Sequence, residues 1–367
     1  MMKRSNKPLI ASIFSFALCL NLTGCNAVSM TNIIEEISPT VLLFVDRNEQ
    51  GNLEQTVIIP PVRKENTQLL TTEVTFMKEA RNEFNKNFYR EMKSGQLRIL
   101  MTTKQIATEG LLPILNTLVL DPEITNRLFV VIVEGDFIDY LNNQLKHKQE
   151  APLEVYLYKM LSHYEHQGEF TVINLHNFME RYFSEYADPI APIFKVTENK
   201  LSYKGTALFQ DDQMVSHTEE LQEILFQFLT KKNTIRKIAP LPELELSIGA
   251  LFTNTQITVL PKPAVHIQLD LTGRLEEYHG ERNLMDYKEA TLLQQDIESY
   301  LEDELVAMTR KLQQLGIDPF RIGEKTMTPL QRPYTDEQWR EVWKKIPIEA
   351  KVNLQLDSLG LMRTGTK

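Results

Sequence analysis

Apolar positions along the chain switch period several times, and each switch marks an element. Unbroken apolar runs at Val41–Val45 and Leu128–Val133 predict strands buried on both faces. Thr56–Ile59, closed by Pro60-Pro61, and Leu97–Met101 predict two more strands. Phe76, Ala80, Phe84 and Phe88 recur at every fourth residue, predicting one helix face that ends near Gly95. Lys104–Leu120 predicts a helix, Asp121-Pro122 the start of a short helical turn, and Leu153–His166 and Leu175–Tyr186 further helices. Strands alternating with helices predict an α/β layer to about residue 186.

Asp188-Pro189-Ile190-Ala191-Pro192 holds two prolines that bar a helix, which predicts a first boundary. Beyond it, Leu201, Tyr203, Ala207 and Phe209 predict one face of a strand with Gly205 inside it; Asp211-Asp212 predicts a hairpin turn leading to Met214-Val215. A helix over Glu219–Leu229 and strands over Leu244–Ile248 and Gln256–Leu260 follow, and Pro261 and Pro263 mark a second boundary. Val265, Ile267, Leu269 and Leu271 alternate as in a half-buried strand. A helix over Leu284–Leu315, about 48 Å long, carries Ile297, Leu301, Leu305, Met308, Leu312 and Leu315 as one apolar stripe. Gly316 and Pro319 are its stop signal. Thr335 is placed to cap a helix bearing Trp339 and Trp343, and Val352, Leu354 and Leu356 predict a last strand. The expected segments are therefore 1–24, 25–187, 188–261 and 262–367.

The first segment predicts an export signal. Lys3, Arg4 and Lys7 precede the apolar stretch Leu9–Leu20, which is shorter than the ~20 residues of a membrane span. Leu22-Thr23-Gly24-Cys25 looks like a bacterial lipobox, in which cleavage falls between Gly24 and Cys25 and the thiol takes a diacylglycerol. The other cysteine, Cys19, leaves with the peptide, so Cys25 keeps no intramolecular partner. Two acyl chains give stable anchoring. An ordinary signal peptide with a chance cysteine is the competing reading.

The 367 residues carry a formal charge of −9, against a nucleic-acid partner, which calls for a basic footprint. Removing the basic leader makes the chain more acidic, so lipid rather than a basic patch must hold it to an anionic membrane. Gly-rich phosphate loops and the GxSxG motif are absent from the sequence, and Lys204-Gly205-Thr206 has the wrong order for such a loop. His163 and His166 stand three apart on a predicted helix, a weak zinc signal; two solvent-facing histidines are the commoner case. Glu243/Glu245 and Glu302-Asp303-Glu304 read as solvated charge. No catalytic residue, metal site or cofactor is expected beyond the covalent lipid on Cys25.

The lipobox, Asp121-Pro122-Glu123-Ile124, Glu134-Gly135, Leu201-Ser202-Tyr203-Lys204-Gly205-Thr206-Ala207-Leu208-Phe209, Asp211-Asp212-Gln213-Met214-Val215, Gly316-Ile317-Asp318-Pro319-Phe320-Arg321-Ile322-Gly323-Glu324 and the two tryptophans follow one another along the chain. Together they resemble the Ger(x)C family of spore germination lipoproteins. The chain departs from the family after the lipid cysteine, where Asn26-Ala27-Val28 stands, and at His217, where a small residue is usual. The resemblance implies an α+β fold of three consecutive domains, each a β-sheet backed by helices, with the long helix in the C-terminal one. It implies a non-catalytic subunit of a nutrient germinant receptor, on the outer face of the inner spore membrane, beside two integral-membrane subunits, an A-type and a B-type. Arg321, Gly323 and Glu324 are candidate partner contacts; a turn-building role is the alternative reading of the same residues. The competing function classes are a solute-binding lipoprotein of an ABC importer, which calls for two similar lobes, and a cell-envelope hydrolase, which calls for converging catalytic groups.

Overall fold

The computed structural model describes residues 36–60, 67–146, 152–168, 170–231, 235–260, 264–327 and 332–357. The signal peptide, Gly24 and Cys25 lie outside the described residues.

The fold is α+β, with sheets backed by helices. The larger sheet has eight strands. In chain order they are β2 (Leu42–Arg47), β3 (Leu53–Ile59), β4 (Gln68–Val74), β6 (Ile99–Thr103), β7 (Phe129–Glu134), β8 (Ile190–Thr197), β9 (Lys200–Gln210) and β10 (Gln213–His217). In space the order is β10-β9-β8-β7-β6-β2-β3-β4. The β2, β6, β7 and β8 strands run parallel, and hairpins flank them on both sides. Parallel strands need helices on both faces, and the apolar runs supply both. One face, with Leu42, Phe44, Met101 and Val131, packs on α4 (Phe137–Lys146) and α5 (Leu153–Gln167) through Phe137, Leu141, Leu157 and Leu161. The opposite face, with Leu43, Val45, Leu100 and Val130, packs on α1 (Glu79–Asn87), α2 (Lys104–Glu109), α3 (Leu112–Val119), α6 (Leu175–Tyr182) and α7 (Glu220–Thr230). A short parallel pair, β1 (Ile37–Pro39) with β5 (Glu91–Lys93), lies apart from this sheet.

The smaller sheet is β11 (Ile235–Leu241), β12 (Leu246–Val259), β13 (Val265–Tyr278) and β14 (Ile348–Asp357), in that order. Its apolar face, Val265, Ile267, Leu269, Leu271 and Val352, packs against α8 (Tyr287–Leu315). The buried stripe of α8 runs Leu293, Ile297, Leu301, Leu305, Met308 and Leu312. The helix closes at Gly316 (φ 70°), whose left-handed backbone lets Ile317 N–H reach the Leu312 carbonyl at 3.1 Å. Thr335 and Gln338 form a capping box on α9 (Asp336–Trp343), and Trp339 and Trp343 stack at 5.9 Å in the core.

Several elements differ from the sequence reading. Strands of 188–261 divide between the two sheets: β8–β10 extend the large one and β11–β12 open the small one. Pro192 sits inside β8, but β8 joins β7 only from Ile193 onward, so no ladder bond to β7 is lost at the proline. Phe76 precedes α1 and is 67% exposed. Lys104–Leu120 forms two helices, broken at Gly110 (φ 131°). Asp121-Pro122 builds a turn, not a helix, fastened by Arg81 ion pairs to Asp121 and Glu123. The two strands expected over Leu244–Ile248 and Gln256–Leu260 are one strand, β12, kept continuous by bulges. The face reading of β9 is also corrected. Ile193 pairs with Gly205 and Phe194 with Tyr203, so Lys204 is an extra residue that flips the alternation. Leu201 and Tyr203 consequently face the α4–α5 side, and Ala207 and Phe209 the other.

The outer edge of β14 has no strand beside it among the described residues. Two carboxylates on α8, one turn apart, take that place. Glu302 Oε1 accepts the Val352 N–H at 3.0 Å and Glu298 Oε1 accepts the Leu354 N–H at 2.8 Å. Unpaired edge groups are a template for another strand. Replacing both glutamates with alanine is expected to make the protein self-associate through β14, seen as a faster boundary in sedimentation velocity. An unchanged boundary would refute the role.

Candidate functional site

Two of the motif stretches that carry the family resemblance, 201–209 and 316–324, each form part of a buried polar junction.

The first surrounds Lys204-Gly205-Thr206 on β9. Thr218, in the turn between β10 and α7, lies directly over Gly205. A Cβ at that glycine would stand 2.1 Å from the Thr218 carbonyl oxygen. Thr218 N–H donates to the Thr206 carbonyl, and Thr206 N–H donates to Thr218 Oγ1, each at 2.9 Å. Below them Glu223 of α7, 4% exposed, accepts from Thr218 Oγ1, from Tyr203 OH at 2.6 Å, from Thr206 Oγ1 at 3.3 Å and from Gln227 Nε2 at 2.5 Å. Gln227 also donates to Thr171 Oγ1 at 2.7 Å. A buried carboxylate is tolerated only with this density of donors. Burial, and then the Glu223 charge, raise the Tyr203 pKa well above the ordinary phenol value, so Tyr203 stays a donor. Lys204, bulged outward, bridges Glu219 at 2.9 Å and Glu134 at 3.2 Å. Hydrogen bonds from Lys204 and His217 bring Glu219 down to about 2. His217, the departure from the family, is thus a partner of Glu219 at 2.6 Å. The Glu134-Gly135 stretch ends β7 beside this cluster, which explains its place among the motifs.

The second junction surrounds Asp318, in the turn after α8. The Asp318 carboxylate is 3% exposed and accepts from Ile322 N at 2.9 Å, Gly323 N at 2.8 Å and Trp339 Nε1 at 3.3 Å. Asp188, just before β8, accepts the Asp318 N–H at 2.6 Å, and Arg181 of α6 donates to the carbonyls of Asp188 and Pro319 at 3.1 and 3.0 Å. Trp343 Nε1 donates to the Ile317 carbonyl at 2.7 Å. Burial raises Asp318 to about 7, assisted by the Asp188 charge, and raises Asp188 to about 6. The large sheet is thereby tied through α6 and Asp188 to the end of α8 and to α9.

Two of the candidate contact residues sit on the rim. Arg321 holds Glu180 of α6 through Nη2 at 2.6 Å and Nη1 at 3.2 Å, and Glu324 through Nε at 2.7 Å. Gly323 is buried, and a Cβ there would stand 2.7 Å from both Trp339 Nε1 and Tyr186 Cδ1. All three residues fasten the turn to its own chain, which supports their turn-building reading. His163 and His166 lie on α5, where His166 Nδ1 meets the Ser162 carbonyl at 2.6 Å; no group of three or more metal-ligating side chains gathers among the described residues. Glu243 accepts from Tyr300 OH at 2.8 Å, and Glu302 holds Lys351 and the β14 edge. No helix among the described residues is long and apolar enough to cross a membrane. Reasoning from sequence missed Asp188 and Arg181, whose partners in the turn after α8 lie far off in the chain, and Glu223, whose donors stand within 20 residues but on β9, the Thr218 turn and α7 itself.

Comparison with known proteins agrees with the motifs. Residues 31–196 match the family model of the spore germination protein N-terminal domain. Residues 204–360 match that of the spore germination B3/GerAC-like C-terminal region. The junction between the two matches falls in the β8–β9 hairpin. The chain is 22% identical to spore germination protein GerQC of Bacillus cereus over 372 aligned positions, covering 98% of this chain and 99% of the relative. It is 18% identical to the putative spore germination protein YfkR of Bacillus subtilis (strain 168), covering 78% of each. The crystal structure of the GerBC protein shares the fold at a TM-score of 0.50 and 14% identity, over 86% of this chain and 96% of that one. Two domain models in tandem, a full-length relative and a shared fold place the chain in the Ger(x)C family of spore germination proteins.

Proposed function

We propose that this chain is a lipid-anchored, non-catalytic subunit of a nutrient germinant receptor, required for assembly or signal coupling. The observation that carries the reading is the match of both family domains along one chain, with the full-length similarity to GerQC. The architecture supports it: the two motif stretches are spent on joining elements, and the buried carboxylates face backbone and side-chain donors rather than a cleft. The two similar lobes of a solute-binding protein do not match an eight-stranded and a four-stranded sheet. In this reading Cys25 carries the diacylglycerol, the body lies at the outer face of the inner spore membrane, and the partners are an A-type and a B-type integral-membrane subunit. Lipid confinement raises the effective concentration of the body near those partners.

The test is recovery of a tagged full-length chain from detergent-solubilised membranes of dormant spores, read by mass spectrometry. Two membrane-spanning germination subunits are expected. A permease and an ATPase in their place would favour the importer. Cys25→Ala is expected to leave unprocessed precursor and to lose most membrane retention; normal processing and retention would overturn the anchor. Arg321→Ala with Glu324→Ala tests the partner-contact reading in the same experiment, since undiminished recovery of the partners would end it.

A further inference from the structure

A cleft of about 390 Å³ opens between α4, α5 and the β8–β9 hairpin, and it shares no lining residue with either junction. That volume is within the range of small-ligand sites. Leu153, Leu157 and Met160 of α5 and Leu201 of β9 form its apolar wall. The hairpin tip is held in place. Glu198 and Asn199 both take left-handed backbone, at φ 49° and 59°, as a two-residue turn between twisted strands requires. Gln144 of α4 donates to the Asn199 carbonyl at 3.3 Å and ties the tip to the helix.

Two lining groups are uncommitted. Tyr140 of α4 is 6% exposed, and its ring stacks on Phe137 at 5.7 Å. Its hydroxyl forms no hydrogen bond among the described residues and is not among the buried atoms sealed from solvent. Burial, and then the neighbouring Tyr156, raise its pKa to about 12, so it stays protonated and able to donate. Lys200, the first residue of β9, is exposed at the mouth and forms no ion pair among the described residues. The other polar lining groups, on Gln144, Tyr156, Asn199 and Ser202, are neutral, and no carboxylate lines the cleft among the described residues. Glu154, beside Leu153 in the chain, is buried and takes no part in the lining.

The cleft thus presents one positive charge at its mouth, one spare hydroxyl at its floor and apolar surface between them. It calls for an anionic head, and an ammonium group on the ligand would find no partner. The Tyr156 ring and the Met160 thioether add surface suited to an aromatic body. We propose that this cleft binds a small aromatic carboxylate, its ring against Leu157, Met160 and Leu201, its carboxylate paired with Lys200 and a polar group at its far end bonded to the Tyr140 hydroxyl. The proposal does not rest on the receptor reading.

Met160 serves as an internal reporter. The full chain, labelled with ¹³C at the methionine methyls, is titrated with 4-hydroxyphenylacetate. Two further probes each lack one feature: phenylacetate has no ring hydroxyl, and 4-hydroxyphenylethanol has no charge. Saturable shifts of the Met160 methyl resonance are expected. 4-Hydroxyphenylacetate should bind about fivefold more tightly than phenylacetate, the worth of one net hydrogen bond. It should bind about threefold more tightly than the uncharged probe, the worth of an ion pair at an exposed lysine. Tyr140→Phe should abolish the first preference and leave the second; Lys200→Met should do the reverse. Absence of saturable shifts in the parent would overturn the proposal. So would a hydroxyl preference that survives Tyr140→Phe, or a charge preference that survives Lys200→Met. If Tyr140→Phe does not fold, Lys200→Met, at an exposed position, alone decides.

Discussion

Asp318→Ala is expected to lower the unfolding free energy by about 4 kcal/mol, since it strands three donors in the core at about 1–3 kcal/mol each. The Ile322 and Gly323 amides and the Trp339 indole all converge on this carboxylate. The side chain is 3% exposed, so the three donors have no direct access to bulk water. The loss would be seen as an earlier urea midpoint with an unchanged slope. A change under 1 kcal/mol would mean that the turn after α8 can satisfy those donors another way.

The same residue sets a pH dependence with a definite sign. Its pKa rises from 3.8 when unfolded to about 7 when folded, because burial disfavours the charge. An acid raised on folding holds more protons in the native state, so its contribution is full below pH about 4 and is lost as pH climbs through about 7. Between pH 5.5 and 8 the expected difference is about 2 kcal/mol, the more acidic solution being the more stabilising. Asp188, raised to about 6, works in the same direction. In the Asp318→Ala protein most of this difference should vanish. If the parent and the variant show the same pH slope, the carboxyl is not the titrating group.

The elements governed by local pattern were legible in the sequence, and those governed by distant partners were not. The buried strands β2 and β7 announce themselves as apolar runs. The long helix α8 shows its stripe and its Gly316 stop, and α9 its Thr335 cap. Phe76 kept the helical spacing of α1, but spacing says nothing about where the first turn begins. The break at Gly110 depends on Asp212, whose Oδ2 accepts the Leu112 N–H from across the fold at 2.9 Å. Proline at 192 reads locally as a boundary, yet the strand tolerates it because only one neighbour flanks it there. The candidate residues Arg321, Gly323 and Glu324 were visible as part of a motif, but Glu180, which Arg321 holds, and Asp188, which accepts the Asp318 N–H of the same turn, lie more than a hundred residues earlier. A single sequence carries no signal for that pairing.

Gly205 makes the sharpest claim on the KGTALF motif. Its backbone does not need a left-handed angle; what it needs is space. Gly205→Ala would place a methyl 2.1 Å from the Thr218 carbonyl oxygen and 3.1 Å from its carbonyl carbon. Both are backbone atoms, so no flexible side chain can swing aside. The Thr218 turn must lift, and lifting it breaks the paired Thr206–Thr218 bonds and withdraws a donor from Glu223. Overpacking alone costs about 1–3 kcal/mol, and an incompletely satisfied buried carboxylate adds about as much again. A loss of about 4 kcal/mol is therefore expected, comparable with that at Asp318. Lys204→Ala, one residue away in the same strand, should cost under about 1 kcal/mol, because its partners Glu134 and Glu219 reach solvent. Equal effects at the two positions would mean that the ionic contact, not the close backbone crossing, is what the motif protects. A large effect at Gly205 alone makes the crossing of β9 by the Thr218 turn the constraint, and explains why a stretch with phosphate-loop letters serves packing.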